Sequence, residues 1–508
     1  MKSINRTKRT ALNATANLIS LVVSSLASLV VTRVVLQYIG SDYNGLNATV
    51  SQVLSLLTVF EGSFTLASLV ALYKPYETSD YEQISKIVST TSNAFYRIGT
   101  TMFLIGTLFC FGYAFFIKTS LSYFTVVIVM LLSIFATTFN TTFISKYRLL
   151  FQVSQSEYIV SFIISACNVS AHICAVFIVK NTRDIILVRL NYTVFTVLSS
   201  LIISVLARKL YRNIQYNMPS DFSLIKGTKD VIVSTITGVI YRSSAVFFIS
   251  TFVGTVFTSV YSVYSSVTSI IQNVVYAFLN SPKNALGQVI AVADSKRLER
   301  VFDEFEFITI FLVTLLFSTT YAFIIPFVKV YTLGISDVDY IQPEIALLLI
   351  ANLVFQFVHI PSGLLIELSG YFKVKKKIQL IALGVIVPAT IVGALLWRLY
   401  GILLANTATS IVLALFEISY ARRNILHKSP KTLILMFIPN IVCFVLISFV
   451  ENQVAASLIT DLVSFSAITG ICFVINGILL CGINYFLFPK YMKDVICRFG
   501  SLLKKVNS

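Results

Sequence analysis

The sequence predicts an all-α integral membrane protein with about fourteen transmembrane helices. Of its 508 residues, 56% are hydrophobic and only 12% are charged, whereas a soluble domain carries about 25% charged residues. The apolar residues form long runs, each near the roughly 20 residues that a membrane-spanning helix needs. The basic residues lie in short clusters between those runs. Lipid is therefore expected to be the main solvent of this chain.

Each apolar run is long enough to be one membrane span. No segment between two runs exceeds about 23 residues, so function is expected to reside among the helices. The fourteen runs lie near residues 11–36, 46–73, 90–116, 122–145, 155–179, 185–207, 230–253, 256–281, 305–331, 343–369, 378–396, 400–421, 432–450 and 462–488.

The basic residues predict the orientation of the helices. With the N-terminus in the cytoplasm, the inner segments hold 30 of the 39 Lys and Arg residues, and the outer segments hold five. Cytoplasmic loops of membrane proteins carry this excess. An even number of spans then places both termini in the cytoplasm. The net charge of +17 follows from this topology, and we expect no nucleic-acid partner.

A weak internal repeat predicts two related lobes. Gly40 and Tyr43 follow the first span, and Gly254 and Phe257 follow the seventh, which sets the offset at 214. Amphipathic segments after the second and eighth spans match as well, and a Tyr-Ala-Phe motif recurs at an offset of 208. Odd spans pair with odd spans, so both lobes share one membrane orientation. The predicted domains are an N-lobe of six helices at 1–207, a basic cytoplasmic linker at 208–229, a C-lobe of six helices at 230–425, and a final helix pair with a cytoplasmic tail at 426–508.

A resemblance to a known family begins at Arg33–Leu57, which reads RVVLQYIGSDYNGLNATVSQVLSLL. This stretch resembles the opening of bacterial oligosaccharide flippases of the Wzx type, within the multidrug/oligosaccharidyl-lipid/polysaccharide exporter superfamily. One departure is the start of the eleventh span, IQLIALGV, which lacks the Glu or Asn that the family pattern leads us to expect. Further similar segments follow in family order, over about residues 10–425: SPKNALGQVIAV at Ser281–Val292, IPFVKVYTLGISDVDY at Ile325–Tyr340 and LSGYFKVKKKIQLIA at Leu368–Ala382.

The resemblance implies a V-shaped, MATE-like fold of two six-helix lobes plus a C-terminal helix pair, in the bacterial cytoplasmic membrane. It implies a flippase that moves undecaprenyl-diphosphate-linked oligosaccharide repeat units from the inner to the outer leaflet, by alternating access, for surface polysaccharide synthesis. The expected partners are this substrate, membrane lipids, and the polymerase and glycosyltransferases of the same pathway. A flippase for lipid II or a teichoic-type precursor has the same fold and stays an open alternative.

Arginines inside spans are the candidates for binding the lipid diphosphate. The guanidinium fork donates paired hydrogen bonds to phosphate and stays charged, although a charge at the centre of a span costs about 2.5–3.5 kcal/mol. Arg242 lies deepest, about twelve residues into the seventh span, and is expected to contribute most. Arg33, Arg97 and Arg189 lie nearer to span ends, where Arg97 and Arg189 could extend their side chains to water.

Other polar and aromatic residues within spans have two interpretations each. Glu61, in the second span, either binds a coupling ion, H⁺ or Na⁺, or neutralises Arg33 or Arg242. In the tenth span, His359 lies beside Pro361, and its expected role is a hydrogen bond to the backbone. Pro361 and Pro388 are candidate helix breaks. Glu367 and Glu417, near cytoplasmic span ends, are expected to have interfacial roles. Three tyrosines either stack on sugar rings or pack in the protein: Tyr241, Tyr261 and Tyr264.

A membrane polysaccharide polymerase or glycosyltransferase is the alternative from another functional class. The only candidate site for it is Asp337-Val338-Asp339, a DxD-like pair on a short outer loop. The chain has no Walker loop and no Ser/His/Asp or Cys/His grouping, and its seven cysteines show no CxxC spacing. We therefore expect no catalytic residues, no metal site and no resident cofactor.

Overall fold

The computed structural model describes residues 6–225, 244–292 and 295–493, and the regular elements in these ranges are helices. A 3₁₀ turn follows α8, and π-helical turns end α9 and follow α14. The helices are α1 (Arg6–Tyr38), α2 (Ser41–Leu57), α3 (Val59–Glu77), α4 (Tyr81–Phe116), α5 (Tyr123–Phe143), α6 (Ser145–Val153), α7 (Glu157–Thr182), α8 (Ile185–Leu210), α9 (Ser244–Val253), α10 (Thr255–Val292), α11 (Ser295–Tyr331), α12 (Pro343–Val358), α13 (Ile360–Leu368), α14 (Phe372–Tyr420), α15 (Lys431–Leu458) and α16 (Leu462–Leu487).

The described helices have the length and surface of membrane spans. Nine segments in the described ranges are long and apolar enough to cross a bilayer, and α9 and the second half of α1 are shorter apolar helices. Large apolar side chains cover the outer faces: Phe486 is 82% exposed and Phe115 is 75% exposed. Because water disfavours such surfaces, lipid is the solvent that suits them. The prediction of an all-α, multi-pass membrane protein is confirmed.

The chain forms two compact units, Met1–Ser259 and Val260–Ser508. In the first unit, α7 packs against α1 and α8, and α5 packs against α4 and α8. In the second unit, α11 packs against α12, α15 and α16, while α14 packs against α12 and α13. The predicted lobe and linker boundaries stay a prediction, because the boundary between 229 and 230 lies outside the described residues.

Two of the predicted spans are each broken into two helices, and the predicted span 122–145 ends at a third break, which a short helix follows. The breaks are at Thr58, Ile144 and His359, which separate α2 from α3, α5 from α6, and α12 from α13. Only the last break has a proline beside it, since Pro361 lies in the first turn of α13. Pro388 lies inside α14, where the backbone stays helical. A span can therefore be interrupted at a single residue without a proline or glycine at the break.

The long helix α14 contains the eleventh and twelfth spans. Its backbone leaves the helical region at Trp397 and Arg398, and Arg398 has φ 48° and ψ −123°. A Cβ atom on either Gly393 or Gly401 would overlap the carbonyl group of the other glycine. Residues eight positions apart in a continuous helix lie about 12 Å apart. The close contact therefore means that the two halves of α14 fold back against each other.

The two halves of the sequence repeat one backbone pattern. The nine-residue helix α6 begins at Ser145, and the nine-residue helix α13 begins at Ile360, which is an offset of 215. At this offset Tyr113 corresponds to Val328, so the Tyr-Ala-Phe match of Tyr113 with Tyr321 at an offset of 208 is not part of the structural repeat. Backbone positions with positive φ recur at nearly the same offset: Gly40 and Gly254, Gln155 and Gly370, and Arg183 and Arg398.

Candidate functional site

A polar pocket lies among α1, α2, α7 and α8 in the first unit; we call it the Arg189 pocket. Its volume is about 150 Å³. The lining positions on α1 and α2 follow one another at intervals of one, three or four residues, so each helix contributes one face. None of the lining residues is acidic. They are Ser28, Val31, Thr32 and Val35 of α1, Tyr43, Asn44, Asn47 and Ser51 of α2, His172 of α7, and Val188, Arg189 and Tyr192 of α8.

Arg189 supplies the charge of this pocket. Its Nη1 donates a hydrogen bond of 3.2 Å to Oδ1 of Asn47. Its Nε is buried and has no hydrogen-bond partner among the described residues. Asn47 is neutral, so it orients the guanidinium without cancelling the charge. A buried donor without a partner is costly, and an arginine fork has the geometry to bind phosphate or carboxylate oxygens. The pocket therefore has the chemistry of an anion site.

Hydrogen bonds to neighbouring helices fix the helix that carries Arg189. The amide nitrogen of Asn191 donates to the carbonyl of Ala171 on α7 at 2.9 Å, and the Thr193 hydroxyl donates to the Leu132 carbonyl on α5 at 3.2 Å. Bonds of this kind hold membrane helices in register. The rotation of α8 is thus set on two sides, and Arg189 is held toward α2.

The start of α2 is fixed as firmly as α8. Asp42 accepts hydrogen bonds from the Thr119 hydroxyl at 3.0 Å and from the Ser120 amide at 2.7 Å, both in the loop between α4 and α5. The Asn44 amide group donates to the Ser259 hydroxyl at 2.8 Å. The family-like stretch around Gly40 therefore has a structural task, since it positions the α2 face of the Arg189 pocket.

Two of the other three predicted arginines lie away from this pocket, and the third lies outside the described residues. Arg33 is partly exposed on α1 and does not line the pocket. Arg97 is exposed on α4, with its guanidinium carbon 5.7 Å from the centre of the Phe222 ring. Arg242, the residue predicted to contribute most, lies outside the described residues, as does Tyr241. Their predicted roles stay predictions.

Glu61 lies in the first turn of α3, directly after the break at Thr58. Its carboxylate accepts hydrogen bonds from the hydroxyls of Thr141 and Ser145, on either side of the break between α5 and α6. Within the described ranges it forms no ion pair with Arg33. Binding of a coupling ion and neutralisation of Arg242 both stay predictions for Glu61.

The two described tyrosine candidates are buried parts of α10. Tyr264 is fully buried; its hydroxyl donates to the Tyr340 carbonyl at 2.8 Å and accepts from the Gln342 amide at 2.9 Å. Tyr261 is 8% exposed. Their positions correspond to the packing interpretation, with Tyr264 holding α10 to the segment before α12. Stacking on a sugar stays an untested prediction for both.

The second unit contains a buried ionic network that we did not predict. Arg422 is fully buried and pairs with Glu306 and, at 3.4 Å, with Asp303. Asp303 also pairs with Lys428 at 3.0 Å. Burial lowers the pKa of Lys428, but its bonds to Asp303 and Glu299 outweigh burial and raise that pKa above its usual value. The signal in the sequence was the spacing of Glu299, Asp303 and Glu306 along one face of α11.

A second charged cluster surrounds the helix break at His359. The His359 Nδ1 lies 2.8 Å from Oε2 of Glu417, and the Lys375 Nζ lies 2.6 Å from Oε1 of the same carboxylate. Glu417 is 1% exposed. The predicted backbone bond of His359 and the interfacial role of Glu417 are therefore wrong: the structure pairs these two side chains with each other.

The DxD-like pair lies on a short turn between α11 and α12. The Asp339 carboxylate accepts a hydrogen bond from the Ile341 amide at 2.9 Å, which caps the turn before α12. In the ranges that the structure covers, no group of three or more His, Cys, Asp or Glu side chains is placed to hold a metal ion.

Solved structures with a similar fold are membrane transporters and flippases. The lipid II flippase MurJ in an inward closed conformation has a TM-score of 0.69 and 15% identity, over 94% of this chain and 99% of that one. An inward-facing multidrug resistance MATE family transporter of the MOP superfamily has a TM-score of 0.65 and 12% identity, over 82% and 98%. A MOP superfamily transporter from Pyrococcus furiosus, described as having a binding pocket of reverse polarity, has a TM-score of 0.60 and 13% identity, over 83% and 97%. No protein-family model and no curated protein sequence matches the chain.

Proposed function

We propose that this protein is a flippase that moves an undecaprenyl-diphosphate-linked oligosaccharide from the inner to the outer leaflet of the bacterial cytoplasmic membrane. In this proposal it works by alternating access, its termini lie in the cytoplasm, and it supplies repeat units for surface polysaccharide. Its partners would be the polymerase and glycosyltransferases of the same pathway.

The observation that carries the proposal is Arg189, which has no acidic partner among the described residues and lies in a polar pocket formed by α1, α2, α7 and α8. Charged residues within membrane spans are expensive and mark substrate pathways. A lipid diphosphate is an anion that must leave water to cross the bilayer, and a cation with free N–H donors replaces part of its lost hydration. A pocket of about 150 Å³ suits a phosphate-sized group, so we assign it to the diphosphate rather than to the glycan.

The likeness to solved transporters supports transport over catalysis. One of the similar structures is a lipid II flippase, and lipid II is likewise a lipid-linked sugar precursor. A flippase for lipid II or for a teichoic-type precursor would use the same anion site, because the lipid diphosphate is common to such cargoes. The cargo glycan is therefore the part of the proposal that the experiment must distinguish. A polymerase or glycosyltransferase would need a catalytic carboxylate, and Asp339 caps a turn instead.

The test is reconstitution into liposomes with the undecaprenyl-diphosphate oligosaccharide or lipid II. Transfer is measured as the fraction of sugar that becomes accessible to a glycosidase added outside. The variants are Arg189→Ala, which removes the fork, and Arg189→Lys, which keeps the charge but not the paired donors. Arg212→Ala is the matched control, because Arg212 is exposed in the segment after α8.

We expect Arg189→Ala to weaken cargo binding about 10- to 100-fold, the equivalent of losing one charge-assisted hydrogen bond of about 1.5–3 kcal/mol. Arg189→Lys should retain part of the affinity, and Arg212→Ala should behave as the unaltered protein. Equal transfer by Arg189→Ala and Arg212→Ala would contradict the assignment of this pocket. Chain elongation of the oligosaccharide without transfer would show a polymerase instead.

A further inference from the structure

Two cations with no acidic partner among the described residues lie where α6 packs against α4 and α8 in the first unit. The Lys146 Nζ donates to the Ser92 hydroxyl on α4 at 3.0 Å, and the Arg208 Nε donates to the Tyr147 hydroxyl at 2.8 Å. Both charges lie beside one ring, since the Lys146 Nζ is 5.2 Å and the Arg208 Cζ is 5.9 Å from the centre of Tyr147. We call Lys146, Tyr147 and Arg208 the Tyr147 patch.

The charge of the Tyr147 patch is not cancelled by its described surroundings. Burial lowers the pKa of the Lys146 ammonium, and the positive charge of Arg208 lowers it further. An anion between the two cations would be attracted by both and would relieve their repulsion. The acidic side chains on the surrounding elements accept hydrogen bonds from other groups: Glu61, Glu82, Glu157 and Asp221.

A strap at residues 211–221, directly after α8, adds a third donor. The Ser89 hydroxyl of α4 holds the strap by donating to the carbonyls of Tyr216 at 3.1 Å and Met218 at 2.6 Å. The Tyr216 ring packs edge-on against Tyr147, with ring centres 5.3 Å apart. Its hydroxyl is buried and has no hydrogen-bond partner among the described residues. Because burial raises the pKa of Tyr216 to about 12, this hydroxyl is a donor at neutral pH.

An exposed apolar stripe on α8 leads to the Tyr147 patch. Leu201, Val205 and Arg208 are spaced four and three residues apart, which places them on one face of the helix. Leu201 is 51% exposed and Val205 is 67% exposed. The predicted span of α8 ends at residue 207, so Arg208 follows directly on a surface that suits lipid chains. A ligand with both an anionic head and apolar chains therefore fits this place better than a soluble anion does.

We propose that the Tyr147 patch binds the phosphate headgroup of an anionic membrane lipid, whose acyl chains lie along the apolar stripe of α8. Lys146 contributes a point charge, Arg208 the N–H groups that Tyr147 does not use, and Tyr216 a hydroxyl; all three are donors to phosphate oxygens. The bound lipid joins α6, α8 and the strap. With the predicted topology it belongs to the cytoplasmic leaflet, whose surface is negative.

The lipid site is distinct from the Arg189 pocket. Arg189 and Arg208 lie near opposite ends of α8, about 28 Å apart at the rise of an α-helix. A lipid bound at the Tyr147 patch is therefore a resident of one leaflet and does not occupy the pocket. The proposal does not rest on the proposed flippase function, and its test needs no cargo.

The test is native mass spectrometry of the full-length protein in detergent micelles, titrated with phosphatidylglycerol. Phosphatidylcholine, whose choline group neutralises the phosphate charge, is the comparison lipid, and inorganic phosphate is the soluble competitor. The site variant combines Lys146→Gln with Arg208→Gln. The matched control combines Lys209→Gln with Arg212→Gln, which removes two charges from exposed residues at the same end of α8. Both variants change the net charge equally, so they differ only in where the charge is lost.

We expect the site variant to bind phosphatidylglycerol about 10- to 100-fold more weakly than the unaltered protein, and the control to change little. Phosphatidylcholine should bind the unaltered protein and the site variant alike. Equal losses in the site variant and the control would overturn the proposal, because they would show only a diffuse attraction to a basic surface. Displacement of the lipid by millimolar inorganic phosphate would overturn the lipid assignment in favour of a soluble anion.

Tyr216→Phe tests the site without removing a charge, and so decides the question if the site variant does not fold. Phenylalanine keeps the packing against Tyr147 and loses only the hydroxyl. We expect binding of phosphatidylglycerol to weaken about 3- to 10-fold, the equivalent of one hydrogen bond. An affinity equal to that of the unaltered protein would overturn the site as described.

Discussion

Replacing Arg422 by methionine tests whether the ionic network of the second unit is as buried as the structure shows. Arg422 and its partner Glu306 have fully buried side chains. After Arg422→Met, Asp303 keeps its contact with Lys428 at 3.0 Å, but Glu306 keeps only the Ser362 hydroxyl at 3.4 Å. Removing one partner of a buried pair costs about 3–5 kcal/mol, because the other charge stays buried without compensation. We expect a loss of this size in the free energy of unfolding.

A surface pair in the first unit is the matched control. Arg148 donates to Glu157 at 2.8 Å, but its side chain is 48% exposed, and such pairs contribute about 0–1 kcal/mol. Unfolding would be measured by pulse proteolysis in mixed micelles with increasing SDS. A loss for Arg422→Met no larger than that for Arg148→Met would refute the reasoning. Adding Glu306→Gln to Arg422→Met should recover part of the loss, and strictly additive losses would likewise contradict direct pairing.

Two further predictions concern packing and pH. Gly401→Ala should lower the free energy of unfolding by about 1–3 kcal/mol in the same assay, since a Cβ there overlaps the Gly393 carbonyl. Gly384 lies in open space on the same helix, so Gly384→Ala should be neutral or stabilising. Equal losses in the two variants would contradict the contact between Gly393 and Gly401. The ion pairs of Lys428 raise its pKa in the folded protein. They therefore stabilise the fold below the usual lysine pKa of about 10.4, and this contribution should disappear as the pH rises through the higher pKa of the folded state. Lys428→Met should flatten that part of the stability curve, and an unchanged slope would argue against the pairs.

Hydropathy was enough to predict the spans, because a run of about 20 apolar residues has few other stable environments. It could not show the breaks at Thr58 and Ile144, since a single residue barely changes an average over a whole span. Positive φ at Arg183 and Arg398 likewise has no signal in residue type, because arginine is not a residue that favours this conformation.

The site was harder to predict because depth along a span differs from burial in the protein. Arg242 ranked first by its distance from either end of its span. Arg189 lies only a few residues into its span, from where its side chain could extend to water, yet it bonds to Asn47 of α2 and its Nε is buried. Asp303 and Arg422 are 119 residues apart, and no local pattern links charges at such a separation.

The internal repeat has a consequence for how this protein could have evolved. One helix break and three turns recur in both halves, but the chemistry does not: the counterparts of Arg189 and His359 are Leu404 and Ile144. A duplicated ancestor would have kept one scaffold twice and then specialised each copy, so that the arginine at 189 and the histidine at 359 each occur in one half alone. Chimeras that exchange residues between equivalent positions, such as His359→Ile, would therefore separate what the scaffold needs from what each copy acquired.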